Sequence, residues 1–205
     1  MTAQRTLDVS YLPDYAISDQ APLWWGQLLL TFIEGTMFAI LIAMYFYYRL
    51  RLDIWPPPGT QLPHLALPTI ALVLLFISCL GSYRASEAAK SDNRPGMIVW
   101  LIFNLVFGVA AMVVRAFSWA SLNFTQAADI HGSLVWTILA LHSLDAAADL
   151  LFTVVLIIVL LLGHNSPRQR LGVHVDSIVW YFIVLIWAPL YVVVYWGPRL
   201  VGAPQ

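Results

Sequence analysis

Charged side chains are scarce in this 205-residue sequence: Asp, Glu, Lys and Arg make up 10% of it and nearly cancel, at a net −1. No stretch concentrates Lys and Arg enough to neutralise a run of phosphates, which excludes nucleic acid as a partner. There is one cysteine, Cys79, inside an apolar run. A single thiol makes neither a disulfide framework nor a thiolate metal cluster, and a Cys-x-x-Cys-His haem attachment is impossible. A Gly-rich phosphate loop and a nucleophile elbow are also lacking. The first residues, MTAQRTLDVSYLPDYAISDQAP, have neither the basic nor the apolar segment of a secretory signal. They read as a polar tail, residues 1–23, retained in the mature chain. No internal repeat or low-complexity tract is evident.

What the sequence has is apolar length. It is 60% hydrophobic, with a mean hydropathy of +0.78, far outside the range of soluble domains. Runs long enough for a helix to cross about 30 Å of hydrocarbon occur at about 24–48, 64–84, 97–117, 132–162 and 174–197. Each break has its own chemistry. Trp55-Pro56-Pro57-Pro58-Gly59 cannot continue a helix, Ser91 to Gly96 is a polar turn, and Gly163 to Arg170 is a third polar break. The stretch from Ser118 to Ile130 is less polar. The expected fold is all-α: a polytopic membrane protein with a bundle of five transmembrane helices over residues 24–200.

Basic residues accumulate on the cytoplasmic side of a membrane protein. Arg5, Arg84, Lys90, Arg94, Arg168 and Arg170 fall on one side of this topology, and Arg49, Arg51, Arg115 and Arg199 on the other. The bias predicts an N-terminus inside and a C-terminus outside. Trp24-Trp25, Tyr45 to Tyr48 and Tyr195-Trp196 stand at span ends, where amphipathic rings settle at headgroup level.

Against this apolar background the ionisable residues need explaining, because a charge near the bilayer centre costs about 3 kcal/mol on insertion scales. Helical periodicity puts His131, His142, Asp145, Asp149 and Thr153 on one stripe of the fourth span, which should face protein. Glu34 lies about ten residues into the first span, roughly 15 Å from its start. Three readings fit the stripe: a metal site, since one imidazole and two carboxylates can hold iron, manganese or zinc; a proton or ion relay; or a buried polar contact that joins helices or lipid headgroups. The first is weakened because one helix supplies ligands from one side only. Arg115 is expected to snorkel to the interface or to pair with a carboxylate. Asp129 and Asp176 are expected near span ends in solvent, with Asp176 a candidate cap. His64, His164 and His174 read as interfacial.

The order of segments resembles subunit III of haem-copper respiratory oxidases, in the short form of five helices. The likeness covers nearly the whole chain. FIEGTMF places Glu34 where the family has an intramembrane glutamate, in a pattern like S-E-x-x-F-F. Trp55 to Gly59 is similar to the W-P-P-x-G loop. GSLVWTILALHSLD aligns Gly132, Ser133 and His142 with G-S-x-F-F-x-x-T-G-F-H-G-x-H, and WYFIVLIW followed by YVVVYWG keeps Trp180, Phe182, Trp187, Tyr191, Tyr195, Trp196 and Gly197. There are departures too. Asp145 stands at the family's second histidine and Asp149 at a glycine one turn on; Tyr181 and Val184 replace the histidine and aspartate of W-H-F-V-D; Ser118 replaces a glutamate.

The resemblance implies a subunit without catalytic residues, metal or cofactor of its own. It would pack against catalytic subunit I and also subunit II, which carry haem and copper, hold phospholipid in a helix cleft, and support proton uptake. Electrons would come from cytochrome c or quinol, and the location would be a bacterial inner membrane. Glu34 is then a buried carboxyl supporting a proton path or helix packing. His142, Asp145, Asp149 and Arg115 form a polar network in the lipid cleft or between helices, the two aspartates bonding His142 or a neighbouring subunit. Alternatives are the subunit-III-like accessory protein of a nitric oxide reductase and a small proton-coupled transporter. Against the transporter stands the missing inverted repeat.

Overall fold

The computed structural model describes residues 17, 21–60 and 62–200; most of the expected polar tail lies outside the described residues. Five helices are long and apolar enough to cross a membrane. They are α1 (Pro22–Arg51), α2 (Ala66–Lys90), α3 (Arg94–Ala120), α4 (Ile130–Leu161) and α5 (Pro167–Tyr191), the last continuing through a π-turn at Val192–Trp196 into Gly197–Leu200. The expected all-α bundle is what forms. Local chemistry sets the ends. Pro22, Pro95 and Pro167 occupy first-turn positions, where the missing N–H costs nothing. Asn93 and Asp129 cap α3 and α4 by accepting from Gly96 N at 3.0 Å and Gly132 N at 2.7 Å. Asp129 is therefore a helix cap.

The far end of α4 is closed twice. Gly163, at φ +99°, ends it in a left-handed turn in which His164 N donates to Val159 O at 3.3 Å and Gly163 N to Leu160 O at 3.1 Å. Arg94, from the start of α3, donates to the freed carbonyls of Leu160 at 2.7 Å and Leu161 at 3.1 Å. Here a cation meets the negative end of a helix dipole.

α2 and α3 form the tightest pair, and composition explains it. The buried face of α2 is a run of small residues, Ala71, Ser78, Gly81, Ser82, Ala85 and Ala89. The face of α3 alternates by four and three: Met97, Leu101, Asn104, Gly108, Ala111, Arg115, Ser118. Small residues let helix backbones approach closely in lipid, where no hydrophobic force drives helices together. α2 is also laced to α5 by three polar contacts: Trp180 Nε1 to Ser78 Oγ at 2.7 Å, Ser177 Oγ to Ser82 O at 2.9 Å, and Ser86 Oγ with His174 Nδ1 at 2.7 Å. His174 thus sits between helices, where an interfacial position had been expected.

α1 stands apart. Only Phe38 and Tyr45 of its side chains are buried, both in its second half. Its first turn touches α5 through Ala21 and Trp24 against Leu171 and Val175. Between these two contacts α1 leaves a gap against α4 and α5.

Candidate functional site

The gap is a cavity of about 330 Å³, and it gathers carboxyls from three helices. Gln27, Leu30 and Glu34 face it from α1; Asp145, Asp149 and Phe152 from α4; Val175, Asp176 and Val179 from α5. Among the described residues, Lys, Arg and His contribute nothing to its lining. Glu34, Asp145, Asp149 and Asp176 thus all line this one cavity. Thr153 donates its single hydroxyl proton towards Asp176, at 3.1 and 3.3 Å from the two oxygens, or to Asp149 O at 3.1 Å. Oδ2 of both Asp145 and Asp149 is buried without a hydrogen-bond partner among the described residues. Carboxylates that share an apolar cavity repel one another when ionised, which favours a bound proton or a cationic group among them.

Asp176 is the residue that sequence reasoning misplaced. It is 1% exposed and fully inside the bundle, where solvent had been expected. The reason is where α5 begins. Gln169 Oε1 accepts from Ser166 N at 3.1 Å, a capping-box arrangement, so the helix starts at Pro167 and Asp176 lies about 13 Å along it. The pattern Ser-Pro-x-Gln at 166–169 carried that information.

The stripe on α4 resolves into three layers along the helix axis. His131 is enclosed by the rings of Trp55, Tyr45 and Phe124, at centroid distances of 5.0, 6.2 and 5.3 Å. Tyr45 is accordingly a core residue, its hydroxyl accepting from Trp55 Nε1 at 3.1 Å, and Tyr195 is buried as well. Neither is the interfacial anchor that its place at a span end had suggested.

His142 forms the middle layer, and its partner corrects two expectations. Its Nδ1 lies 2.6 Å from Arg115 Nη1 and its Nε2 2.9 Å from Ile183 O. A guanidinium can only donate and a carbonyl only accept, so His142 is the neutral tautomer with its hydrogen on Nε2. Arg115, 3% exposed, neither snorkels nor meets a carboxylate; its guanidinium lies 3.8 Å over the ring of Trp187. The aspartates make no bond to His142 either. Asp149 is seven residues further on, about 10 Å along the axis, which places it in the carboxyl layer instead. Glu34 reaches the same layer from α1 and is only partly buried within this single chain.

Among the described residues no group of three His, Cys, Asp or Glu is placed to hold a metal ion. The sequence profile of the family described as cytochrome c oxidase subunit III matches residues 6–198. This chain belongs to that family. Similar relatives are the cytochrome c oxidase subunit 3 proteins of Synechocystis sp., 24% identical over 83% of this chain and 74% of the relative, and of Thermostichus vulcanus, 25% identical over 83% and 85%. That of Pongo pygmaeus is 25% identical over 91% of this chain and 74% of its own length. The resemblance read from Glu34, the Trp55 loop and the Trp180 helix is thus the right family. For a subunit III, the four-carboxyl cavity is the feature that composition alone did not reveal.

Proposed function

We propose that this chain is the non-catalytic subunit III of a proton-translocating haem-copper terminal oxidase, packing against subunits I and II, which carry the haem and copper. Oxygen is reduced to water in those partners. This chain holds phospholipid, stiffens the assembly and feeds protons towards it through the carboxyls of Glu34, Asp145, Asp149 and Asp176. One observation carries the proton role: in a chain of this family, the carboxyl layer lies in the half of the bundle nearest the ends of α2 and α4 and the starts of α1, α3 and α5. Arg84, Lys90, Arg94, Arg168 and Arg170 mark the same side, against Arg49, Arg51 and Arg199 opposite, once the buried Arg115 is set aside. By the positive-inside rule this distribution supports reading that side as the cytoplasm, the source of protons for such an enzyme. The membrane is then a bacterial inner membrane.

Purifying the tagged chain tests the assignment: a haem-copper oxidase core should co-isolate, and a nitric oxide reductase core would overturn it. In the purified complex, Glu34→Gln and Asp145→Asn should each lower turnover or pumping several-fold with assembly intact. Unchanged rates would reduce the carboxyl layer to a packing feature.

A further inference from the structure

An acidic lining alone is satisfied by water, but two further observations at this cavity point to a ligand. Asp149 is only 8% exposed, and its Oδ2, on the cavity wall, has no hydrogen-bond partner among the described residues. An orphaned buried acceptor of this kind is costly unless a donor arrives from outside the chain. The remaining wall is mostly apolar, and Leu30 and Phe152, 46% and 47% exposed, stand at its rim on α1 and α4. Both belong to membrane-spanning helices, so the cavity is open sideways to the bilayer.

The donor set narrows the ligand. The carboxyls are not arranged to close around one metal ion, while about 330 Å³ accommodates an organic group. With no base among the described residues of the lining, the group must bring its own positive charge. We propose that the cavity binds a protonated amine on an apolar body, its ammonium seated among Asp149, Asp176 and Glu34 and its hydrocarbon against Leu30 and Phe152. An ammonium offers three donors, which suit the orphaned Asp149 oxygen and its neighbours. As one ammonium enters, one carboxyl proton leaves, so the charge buried in the membrane is unchanged. The amine could arrive as the headgroup of an ethanolamine lipid or as a free lipophilic amine; the chemistry of capture is the same.

Binding is measured on the assembled complex in phosphatidylcholine nanodiscs and needs no turnover, so its failure leaves the oxidase assignment standing. Octylammonium is the probe, and octanol its uncharged counterpart. Octylammonium should bind saturably and release about one proton per molecule, and Asp149→Asn should weaken it about tenfold or more, the worth of one charge-assisted hydrogen bond. Glu34→Gln, on the loosely packed α1, should do the same without threatening the fold. Native mass spectrometry of the complex from its own membranes separates the sources. A retained ethanolamine lipid displaced by octylammonium identifies the lipid; saturable octylammonium binding with no retained lipid identifies a free amine. Octylammonium uptake no stronger than that of octanol, or unchanged in both variants, would overturn the site.

Discussion

Arg115 is a guanidinium buried between helices near the end of α3, with no carboxylate paired to it among the described residues. Its accommodation rests on a neutral imidazole and an indole face: His142 Nδ1 accepts at 2.6 Å, and Trp187 supplies its π-electrons at 3.8 Å. This makes the two partners unequal under mutation. Removing the acceptor strands a buried charge, which costs about 3 kcal/mol or more, whereas replacing the charge itself by an apolar side chain of similar volume can be nearly neutral. His142→Leu should therefore lower the thermal stability of the purified complex much more than Arg115→Met does. Arg115→Lys should not substitute well, because a point ammonium cannot both lie flat over Trp187 and hold its donor on Nδ1. If Arg115→Met proved the worse of the pair, the guanidinium would have a task beyond packing.

At the scale of elements, packing of α2 on α3 depends on a missing side chain. A Cβ on Gly81 would sit 2.7 Å from Asn104 N and 2.9 Å from Trp100 O, backbone atoms that cannot yield without the helices parting. Gly81→Ala should cost about 2 kcal/mol, measured as a fall in melting temperature of the complex. Gly26→Ala, with nothing within 4 Å, should be neutral or slightly stabilising, since alanine favours helix over glycine. Equal effects at both sites would remove close approach as the explanation.

Helices of this kind were legible in the sequence because the bilayer imposes their length and hides their polar atoms, so apolar runs and prolines report them directly. Burial of the polar residues was less legible. Periodicity put His142 and Asp149 on one face correctly, but it carries no axial information about which neighbour each meets, and so it merged two layers into one. Asp176 was lost for another reason: α5 extends beyond its apolar run, and only the Ser166–Gln169 cap marked the true start. Arg115 escaped because an arginine near the end of an apolar run snorkels in most settings, and the acceptor that retains it is on another helix.

For the whole molecule, five spans put the two ends of the described chain on opposite sides, and direction becomes a functional matter. The carboxyl cavity lies towards the turn from α4 to α5, so on the proposed roles its protons, or the proton released by an incoming amine, would exchange with whichever compartment that turn faces. On the orientation proposed from the basic residues, this compartment is the cytoplasm. In a Cys79→Ser background, His164→Cys reports that turn and Asp53→Cys the loop after α1, both at exposed positions. On intact cells a membrane-impermeant maleimide should label Asp53→Cys and leave His164→Cys untouched until the membrane is opened. The reverse pattern would turn the cavity outward, and a chain that drew protons from the outer face could not serve uptake by an enzyme that pumps in that direction.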